Sequence, residues 1–300
     1  MKVGFVGVGT MGRPMVEALA TKGFGVVAFD VVPATLAKAA EFGAVPAGSA
    51  AETARRSHVV VTMLPSSSHV EQAYLGPAGI LEGAAPGQLC IDMSTIDPRV
   101  SRHVAHRLTE RGIRFVDAPA SGSATRAAEG TLTVMVGGGD NDVADARPVL
   151  AALATTVIHV GEVGSGAIAK LCNNLIAGVA MVAVSEAFRI ADASGVDLRI
   201  LTDVISRSTG DTWIMQHCHP VPDIVATSAA SRGYVAGFAT DLIAKDLALA
   251  VEVARQLRVP VVVAPAAQQL LRLASSHGYG DRDFSVVYSF LKPSSDQAPV

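Results

Sequence analysis

A lysine and two asparagines stand in front of an apolar stretch of the chain. The segment KLCNN covers residues 170–174, and no side chain from Leu175 to Val184 is polar. Burying a lysine beside such a surface costs free energy unless something requires it there. A lysine can take a proton from a substrate hydroxyl and return it, provided that burial or a neighbouring cation lowers its pKa. Because residues four apart share one face of a helix, Asn174 could hold the same hydroxyl as Lys170.

A second interpretation of this segment requires no chemistry. A lysine at the start of a helix can extend its amine into solvent, and paired asparagines can serve as caps. The preceding sequence GSG, residues 164–166, favours a site, because glycine lets a backbone approach closely. The segment by itself leaves both interpretations open.

A glycine-rich turn lies near the start of the chain. GVGTMG fits the pattern G-x-G-x-x-G, follows an apolar run at 2–8 and opens a helical pattern at 10–23. In this context the three glycines permit a tight turn, a close approach of backbone to a pyrophosphate, and packing of helix on strand. The helix N-terminus then presents N–H groups and a positive dipole end to the phosphates. The predicted cofactor contacts are Gly7, Val8, Gly9, Thr10, Met11 and Gly12.

An aspartate ends the second predicted strand. Asp30 closes VVAFD at 26–30, eighteen positions after Gly12. A carboxylate at about this distance accepts hydrogen bonds from the adenosine ribose hydroxyls. It would also repel the 2′-phosphate of NADP, and Val31, Val32 and Pro33 supply no arginine to attract that phosphate. Alone, Asp30 could be an ordinary turn residue, but together with the glycines it predicts NAD as the cofactor.

The elements that must position these residues alternate in the first half of the chain. Apolar, β-branched runs predict strands at 2–8, 26–30, 58–65, 88–94, 113–119, 131–138 and 157–160. Helical patterns between them predict a mostly parallel, doubly wound α/β sheet covered on both faces. After Gly161 the strand signals fade, and a long helix at about 167–194 opens a helical region. We therefore expect a nucleotide-binding domain at 1–162 and an all-α domain at 163–300, joined by that helix, with disorder only at 293–300.

Composition narrows the class of protein. Half of the 300 residues are hydrophobic and 17% are charged, which indicates a globular chain. The net charge of -3 gives no indication of nucleic acid or of an acidic membrane surface. Three widely spaced cysteines fit a reducing compartment. The N-terminal segment lacks the features of a secretory signal, and the ten-residue apolar stretch is too short to span a bilayer. We expect a cytoplasmic protein with no nucleic-acid or membrane partner.

The sequence HCH at 217–219 contains residue types that bind metals. Adjacent side chains point apart, and no carboxylate or cysteine pair completes a ligand set. We therefore predict no metal site.

Several segments, taken in order, resemble the β-hydroxyacid dehydrogenase family. They are GFVGVGTMGRPM (4–15), TMLP (62–65), IDMSTIDP (91–98), DAPASG (117–122), GTLTVMVGG (130–138), GSGAIAKLCNN (164–174) and GFATDLIAKDLALA (237–250). The resemblance covers nearly the whole chain and is closest to members that act on 3-hydroxyisobutyrate. It implies a Rossmann domain, a long connecting helix, a helical C-terminal domain and an active site between the domains.

The resemblance also implies roles for individual residues. Lys170 matches the catalytic lysine, and Asn174 matches a substrate-binding asparagine. Ser121 and Gly122 match the loop that holds the substrate carboxylate. Lys245 matches a lysine near nicotinamide and substrate, whose charge would depress the pKa of Lys170. The remaining matches are to cofactor-contacting residues: Leu64, Pro65, Thr95, Phe238, Lys245 and Asp246.

The carboxylate loop departs from the family at one position. Where members commonly have serine-glycine-glycine, this chain has Ser121, Gly122 and Ser123. A Cβ at position 123 restricts positive φ and would narrow the approach of a carboxylate to the backbone. The hydroxyl of Ser123 could instead add a hydrogen-bond donor for the substrate. The departure concerns substrate choice more than the chemistry.

The resemblance implies oxidation of 3-hydroxyisobutyrate to methylmalonate semialdehyde with NAD, a step of valine catabolism, with Lys170 as acid and base. The same motifs fit other small β-hydroxyacids of the tartronate or succinate semialdehyde type. A non-catalytic nucleotide-binding protein on the same fold is a further alternative, although such a protein would be expected to lack the lysine. The apolar long helix and the helical domain lead us to expect a homodimer or homotetramer.

Overall fold

The computed structural model describes residues 1–235 and 237–292 of the chain. The chain divides into two compact units, of which the first is Met1–Lys170 and the second begins at Leu171. The division falls inside one long helix, and the predicted domain boundary near residue 162 stays a prediction. The predicted disorder at 293–300 lies outside the described residues.

Nine strands of the described chain form one mixed sheet, and all of them belong to the first unit. They are β1 (Lys2–Val6), β2 (Gly25–Phe29), β3 (Val45–Pro46), β4 (Val59–Thr62), β5 (Leu89–Asp92), β6 (Arg114–Asp117), β7 (Ala120–Ser121), β8 (Leu132–Gly137) and β9 (Ala154–Gly161). Their order across the sheet is β3-β2-β1-β4-β5-β6-β8-β7, and β9 also pairs with β8. The first six strands are mutually parallel, whereas β8 runs antiparallel to β6 and β7. The predicted mostly parallel α/β sheet is confirmed.

Eight helices accompany these strands in the described first unit. They are α1 (Gly12–Thr21), α2 (Pro33–Ala40), α3 (Ala50–Arg55), α4 (Ser67–Leu75), α5 (Ile80–Gly83), α6 (Pro98–Thr109), α7 (Ala124–Ala128) and α8 (Asp140–Leu153). Pro33 and Pro98 stand at the first helical positions of α2 and α6, where the missing N–H of proline costs nothing. Ser49 and Asp97 accept hydrogen bonds from the first-turn N–H groups of α3 and α6. These local signals fix where each helix begins.

The sheet is buried on both faces. Phe5 of β1 and Val61 of β4 pack with Met15 of α1 in one apolar cluster. Alternate residues of the same strands, such as Val60 of β4, pack with Leu108 of α6 in a second cluster. Because successive strand side chains point to opposite faces, a continuously apolar strand supplies both clusters.

The described part of the second unit contains helices and no strand. They are α9 (Ser165–Ala193), which crosses the division, α10 (Leu198–Ser206), α11 (Trp213–His217), α12 (Thr240–Gln256), α13 (Val263–Ala274) and α14 (Val287–Phe290). Single 3₁₀ turns lie at Ala230–Arg232 and Phe284–Val286, and a short π-helical segment at Ser275–Tyr279. The core includes Met181 of α9, Leu247 of α12 and Leu271 of α13. A Cβ on Gly178 would lie 2.7 Å from Leu247, so glycine lets α9 and α12 pack closely.

By length and mean hydropathy alone, α9 could cross a membrane. The prediction that its apolar part is too short was based on ten residues, whereas the helix runs over 29. A core helix of a water-soluble domain has the same length and composition, so one such helix is weak evidence for a membrane span. Arg189 of α9 donates a 2.6 Å hydrogen bond to the backbone oxygen of Tyr288, and Phe188 packs in a buried cluster with Met215. The second half of α9 is thus a core helix of the second unit.

Candidate active site

Five parallel strands end side by side at one edge of the sheet. Val6 of β1 pairs with Phe29 of β2 and with Thr62 of β4, and Thr62 pairs in turn with Asp92 of β5. Asp92 then pairs with Asp117 of β6. Ligands of open parallel sheets bind beyond the carboxyl ends of the strands. The loops that follow β1, β2, β4 and β5 carry the cofactor residues predicted in the first unit, and the structure brings them to this edge.

The glycine-rich turn joins β1 to α1. Gly7 has a φ of 94°, and a Cβ on Gly12 would overlap the carbonyl oxygen of Gly7, so both positions require glycine. A Cβ on Gly9 would meet nothing within 4 Å, which leaves open space beside the turn. Among the described residues, no side chain caps the start of α1 at Met11. The turn therefore offers the open approach and the N–H groups that a pyrophosphate requires.

Asp30 lies directly after β2 and faces the glycine-rich turn. Its Oδ2 accepts a hydrogen bond from Val8 N at 2.8 Å, and its Oδ1 accepts one from Val32 N at 2.8 Å. Each carboxylate oxygen has further lone pairs, so Asp30 can hold the turn and still accept from ribose hydroxyls. Val31 and Val32 are exposed and uncharged.

A buried carboxylate links the loops that follow β4 and β5. Asp92 Oδ1 accepts hydrogen bonds from Thr62 Oγ1 and from Ser94 Oγ, both at 2.6 Å. Ser94 Oγ in turn accepts from Leu64 N at 2.8 Å, and Thr62 Oγ1 lies 3.1 Å from Tyr74 Oη. The network fixes the backbone around Leu64, and Ser94 immediately precedes the predicted cofactor contact Thr95.

Burial dominates the electrostatics of Asp92. Desolvation raises its pKa to about 6, against the opposing effect of hydrogen bonds from Ser94 and Thr62, and the negative charge of Asp117 adds to the rise. Its Oδ2 accepts no hydrogen bond from the described residues. Asp92 thus titrates just below neutral pH.

The predicted carboxylate loop follows β6. Ser121 lies in β7 and pairs with Thr133 of β8, and Gly122 has a φ of 141°, which favours glycine. Ser123 has a φ of -86°, and its Oγ accepts a hydrogen bond from Arg126 N at the start of α7. The expectation that a Cβ at position 123 interferes with positive φ is therefore wrong, because only position 122 requires positive φ. A substrate contact by Ser123 stays a prediction.

Lys170 and Asn174 lie one turn apart on α9 and share a face of that helix. Lys170 is 8% exposed and Asn174 is 3% exposed. A lysine this deeply buried does not extend its amine into solvent. The structure thus favours the first interpretation of KLCNN, in which the polar groups are held for a purpose.

In the second unit, Asn174 belongs to a polar cluster with α12. Asn174 Nδ2 donates a 2.6 Å hydrogen bond to Asp246 Oδ2, and Asp246 Oδ1 lies 3.0 Å from Lys245 Nζ. Asn174 Oδ1 accepts from Asn173 Nδ2 at 3.1 Å, so the orientation of the Asn174 amide is fixed on both sides. Phe238 N donates to Asp283 Oδ2 at 2.7 Å just before α12. The structure therefore groups three predicted residues, Asn174, Lys245 and Asp246.

Sequence reasoning missed two buried carboxylates, Asp92 and Asp117. Each ends an apolar strand, in LCID and RFVD respectively, and an acid at that position was the available signal. Asp117 is 1% exposed, and its two oxygens accept hydrogen bonds from Gly164 N at 2.6 Å and Ala167 N at 2.7 Å. In the described chain, no group of three or more histidine, cysteine, aspartate or glutamate residues could hold a metal ion.

Comparisons with known proteins match both parts of the chain. Residues 2–161 match the family model for the NAD binding domain of 6-phosphogluconate dehydrogenase. Residues 164–291 match the model described as NAD-binding of NADP-dependent 3-hydroxyisobutyrate dehydrogenase. Matches of this kind over nearly the whole chain confirm that NAD binding is a property of the family.

Three individual proteins show how far the similarity extends. A probable mitochondrial 3-hydroxyisobutyrate dehydrogenase of Dictyostelium discoideum is 41% identical over 96% of this chain and 90% of its own length. An NAD-dependent L-serine dehydrogenase of Pseudomonas aeruginosa is 38% identical over 99% of both chains. The solved structure of Mycobacterium tuberculosis 3-hydroxyisobutyrate dehydrogenase with L-serine has a TM-score of 0.91 and 36% identity, and covers 97% of this chain and 99% of its own.

These similarities confirm the predicted resemblance, the predicted fold class and the prediction of an NAD-dependent dehydrogenase. The individual site residues remain predictions, which the geometry described above makes specific. The chain belongs to the 3-hydroxyisobutyrate dehydrogenase family of NAD-dependent β-hydroxyacid oxidoreductases.

Proposed function

We propose that this protein oxidises 3-hydroxyisobutyrate to methylmalonate semialdehyde with NAD, using Lys170 as the group that accepts and returns the hydroxyl proton. The observation that carries the proposal is the burial of Lys170, which is 8% exposed and lies one helical turn before the buried Asn174. Membership of the family supports the reaction type, since relatives named 3-hydroxyisobutyrate dehydrogenase share 41% and 38% of their aligned residues with this chain.

The reaction separates a hydride from a proton. NAD, when bound, accepts the hydride from the carbon that bears the hydroxyl group. The protein must take the hydroxyl proton at the same time, and a buried amine can do so because burial favours its neutral form. We assign this proton to Lys170 Nζ. In the reverse direction the protonated amine returns it to the carbonyl oxygen.

Asn174 is proposed to bind the substrate. Its Nδ2 carries two N–H groups, and Asp246 Oδ2 accepts a hydrogen bond from this nitrogen at 2.6 Å. The second N–H group can donate to a substrate oxygen. Asp246 also lies 3.0 Å from Lys245 Nζ, so it fixes both side chains. This arrangement supports a polar substrate contact at Asn174 and at Lys245.

The loop at 121–123 is proposed to hold the substrate carboxylate. Ser121 can donate its hydroxyl hydrogen, and the positive φ of Gly122 turns the backbone between β7 and α7. Hydrogen bonds to a charged carboxylate are about twice as strong as neutral ones. The loop thus supports recognition of a small acid.

NAD rather than NADP is proposed as the preferred cofactor. Asp30 places a carboxylate beside the glycine-rich turn, and the next two residues, Val31 and Val32, are exposed and uncharged. A 2′-phosphate would meet negative charge there with no arginine among these neighbours. The family model for residues 164–291 names an NADP-dependent enzyme, so the preference must be measured on this chain.

The biological setting is proposed on the sequence alone. A role in valine catabolism would follow from the substrate. The net charge of -3 supports the absence of a nucleic-acid partner. We also propose a cytoplasmic location, no membrane partner, and a homodimer or homotetramer.

L-Serine is the second candidate substrate. The relative named NAD-dependent L-serine dehydrogenase is 38% identical over 99% of both chains. L-Serine and 3-hydroxyisobutyrate share a primary alcohol two carbons from a carboxylate, and they differ in an ammonium or a methyl group on the carbon between. The same lysine, asparagine and carboxylate loop would serve both, so only the environment of that substituent separates them.

A turnover panel tests the proposal. The purified protein is assayed with 3-hydroxyisobutyrate, L-serine, glycerate and 4-hydroxybutyrate, each with NAD and with NADP. Glycerate and 4-hydroxybutyrate are the alcohols of tartronate and succinate semialdehyde. We expect the highest kcat/KM for 3-hydroxyisobutyrate with NAD. A higher value for L-serine would establish the second candidate, and no turnover with any acid would support the non-catalytic alternative.

A further inference from the structure

Asp117 joins the end of β6 to the start of α9. Its Oδ1 accepts a hydrogen bond from Gly164 N at 2.6 Å, and its Oδ2 accepts one from Ala167 N at 2.7 Å. The first N–H groups of a helix lack partners within the helix, and a negative charge there also interacts favourably with the helix dipole. One carboxylate therefore satisfies two orphan donors at the helix start.

Two glycines make room for this carboxylate. Gly137 of β8 pairs with Asp117 across the sheet, and a Cβ on Gly137 would lie 2.5 Å from Asp117 Oδ1. A Cβ on Gly166 would lie 2.9 Å from Asp117 Oδ2 and 2.7 Å from the backbone oxygen of Asp117. Contacts this short do not occur in real structures, so any side chain at either position would displace the helix start from the sheet. This gives the GSG sequence before KLCNN a physical purpose.

The anchored end of α9 leads directly to the proposed proton acceptor. Lys170 follows Ala167 by three residues, which is just under one helical turn. Asp117 ends the strand next to β5, and the loop after β5 carries Thr95. The carboxylate thus ties the helix that carries Lys170 to the sheet edge that carries the cofactor loops, all within the first unit.

We propose that Asp117 is a positioning residue for the reaction, because its buried carboxylate fixes the start of α9 and thereby the position of Lys170. The inference rests on the proposed function of Lys170. A displacement of about 1 Å far from the reacting atoms can cost about 10²-fold in rate.

The charged groups around Asp117 set the pH range in which it works. Burial raises its pKa to about 6, while the two backbone N–H groups and the positive charge of Arg102 on α6 oppose that rise. Asp92, in register on β5, brings a second negative charge to the same place. At neutral pH the carboxylate is ionised, and below about pH 6 a proton occupies one of the oxygens that anchor α9.

The first test is Asp117→Asn. The amide keeps the shape of the side chain but turns an N–H group toward one of the two backbone donors. We expect kcat to fall by about 10²-fold while the Kd of NAD changes less than about twofold. Asp197→Asn is the matched control, because Asp197 caps α10 through Arg199 N and Ile200 N. The control should leave kcat unchanged. Wild-type kcat in Asp117→Asn would overturn the proposal.

A double variant separates this inference from the proposed function. If Asp117 acts through Lys170, adding Asp117→Asn to Lys170→Ala should not lower the single-turnover rate further. A further drop of about 10²-fold would overturn the positioning role. If Lys170→Ala alone keeps wild-type turnover, the proposed function of Lys170 fails, and that result is distinct from the outcome at Asp117.

The wild-type protein provides a measurement that does not depend on the folding of a variant. In the reduction direction the protonated lysine is the active form, so its titration cannot remove activity at acid pH. We expect kcat for reduction to fall reversibly as the pH drops through about 6, and we expect this limb to persist in Asp92→Asn. A kcat for reduction that stays constant between pH 7 and pH 5 would overturn the proposal.

Discussion

At the residue scale, Asp30 carries the cofactor preference. Its two oxygens accept backbone hydrogen bonds from Val8 N and Val32 N, so it both shapes the glycine-rich turn and presents a charge beside it. We predict that Asp30→Ala lowers the ratio of kcat/KM for NAD to that for NADP by about 10-fold or more, because hydrogen bonds to a charged group contribute about 1.5–3 kcal/mol. The loss should appear chiefly as weaker NAD binding. Wild-type protein with equal or higher efficiency on NADP would contradict the assignment.

Ser121 carries the second prediction at this scale. Ser121→Ala removes a hydroxyl donor from the loop between β7 and α7. We expect KM for the hydroxyacid to rise, at a cost of about 1.5–3 kcal/mol in binding, while the Kd of NAD stays nearly constant. Ser194→Ala is the control, because Ser194 is exposed and bonds only Ile190 O at the end of α9. A parallel loss of NAD affinity in Ser121→Ala would show that the loop binds the cofactor.

The sequence reveals residue roles only where a side chain has few alternatives. Gly7 and Asp30 fall at positions that a strand, a turn and a helix define, so their roles follow from the pattern of the chain. Asp92 and Asp117 are single letters at strand ends, where aspartate is also an ordinary turn residue. Their burial and their hydrogen bonds to Ser94 and Ala167 come from residues that are distant in sequence, which no local pattern contains.

At the element scale, the β1-α1 turn offers a substitution that separates folding from binding. Gly9→Ala adds a Cβ that meets nothing within 4 Å in the protein, so we predict an unchanged Tm. The same Cβ would occupy the open approach to a pyrophosphate, and we expect the Kd of NAD to rise by at least about tenfold. Gly139→Ala is the matched control, since a Cβ there also meets nothing within 4 Å and lies at the start of α8. Unchanged NAD affinity in Gly9→Ala would place the cofactor elsewhere.

Long elements could be predicted from the sequence, and short ones could not. The helices α1, α6, α9 and α12 have sustained apolar periodicity, which the chain pattern displays directly. The strands β3 and β7 have two residues each, and α7 and α11 have five, which is too few for a period to appear. The antiparallel course of β8 escaped prediction for the same reason. A parallel neighbour of β6 would need a crossover of a dozen or more residues, and the link contains only short elements.

At the scale of the whole molecule, stability depends on buried groups whose pKa values shift in opposite directions. In the second unit, burial lowers the pKa of His219 to about 4, and its Nδ1 accepts a hydrogen bond from Val221 N. Its contribution to stability is therefore lost as the pH falls from about 6.5 to about 4. In the first unit, Asp92 and Asp117 have pKa values raised to about 6, so their contribution is lost as the pH rises from about 4 to about 6.

The opposing signs lead to a prediction for His219. We expect His219→Gln to reduce the loss of unfolding free energy between pH 6.5 and pH 4, because the variant has no imidazole to protonate. The measurement is urea unfolding across that pH range. His106→Gln is the control, since His106 is exposed on α6 and lies 3.8 Å from Glu110. An identical pH profile in His219→Gln and in the wild type would show that His219 does not titrate in this range.

The whole molecule also relates the chemistry to a single helix. α9 receives its anchor from Asp117, carries Lys170 and Asn174, and continues into the core of the second unit through Met181. A helix with this many apolar residues would bury its polar groups only where they are needed. The central claim of the account is that Lys170 moves the proton.

The most direct measurement is kcat for 3-hydroxyisobutyrate oxidation in Lys170→Ala, together with a fluorescence titration of NAD binding. We predict that kcat falls by about 10²–10⁴-fold, as is typical of a lost acid–base group, while NAD binding persists because Lys170 lies outside the glycine-rich turn. In the wild type, oxidation should speed up as the pH rises and the amine deprotonates. Lys22→Ala, at the exposed end of α1, should behave as the wild type. Near-normal turnover in Lys170→Ala with intact NAD binding would contradict the account and would make Lys245 the next candidate.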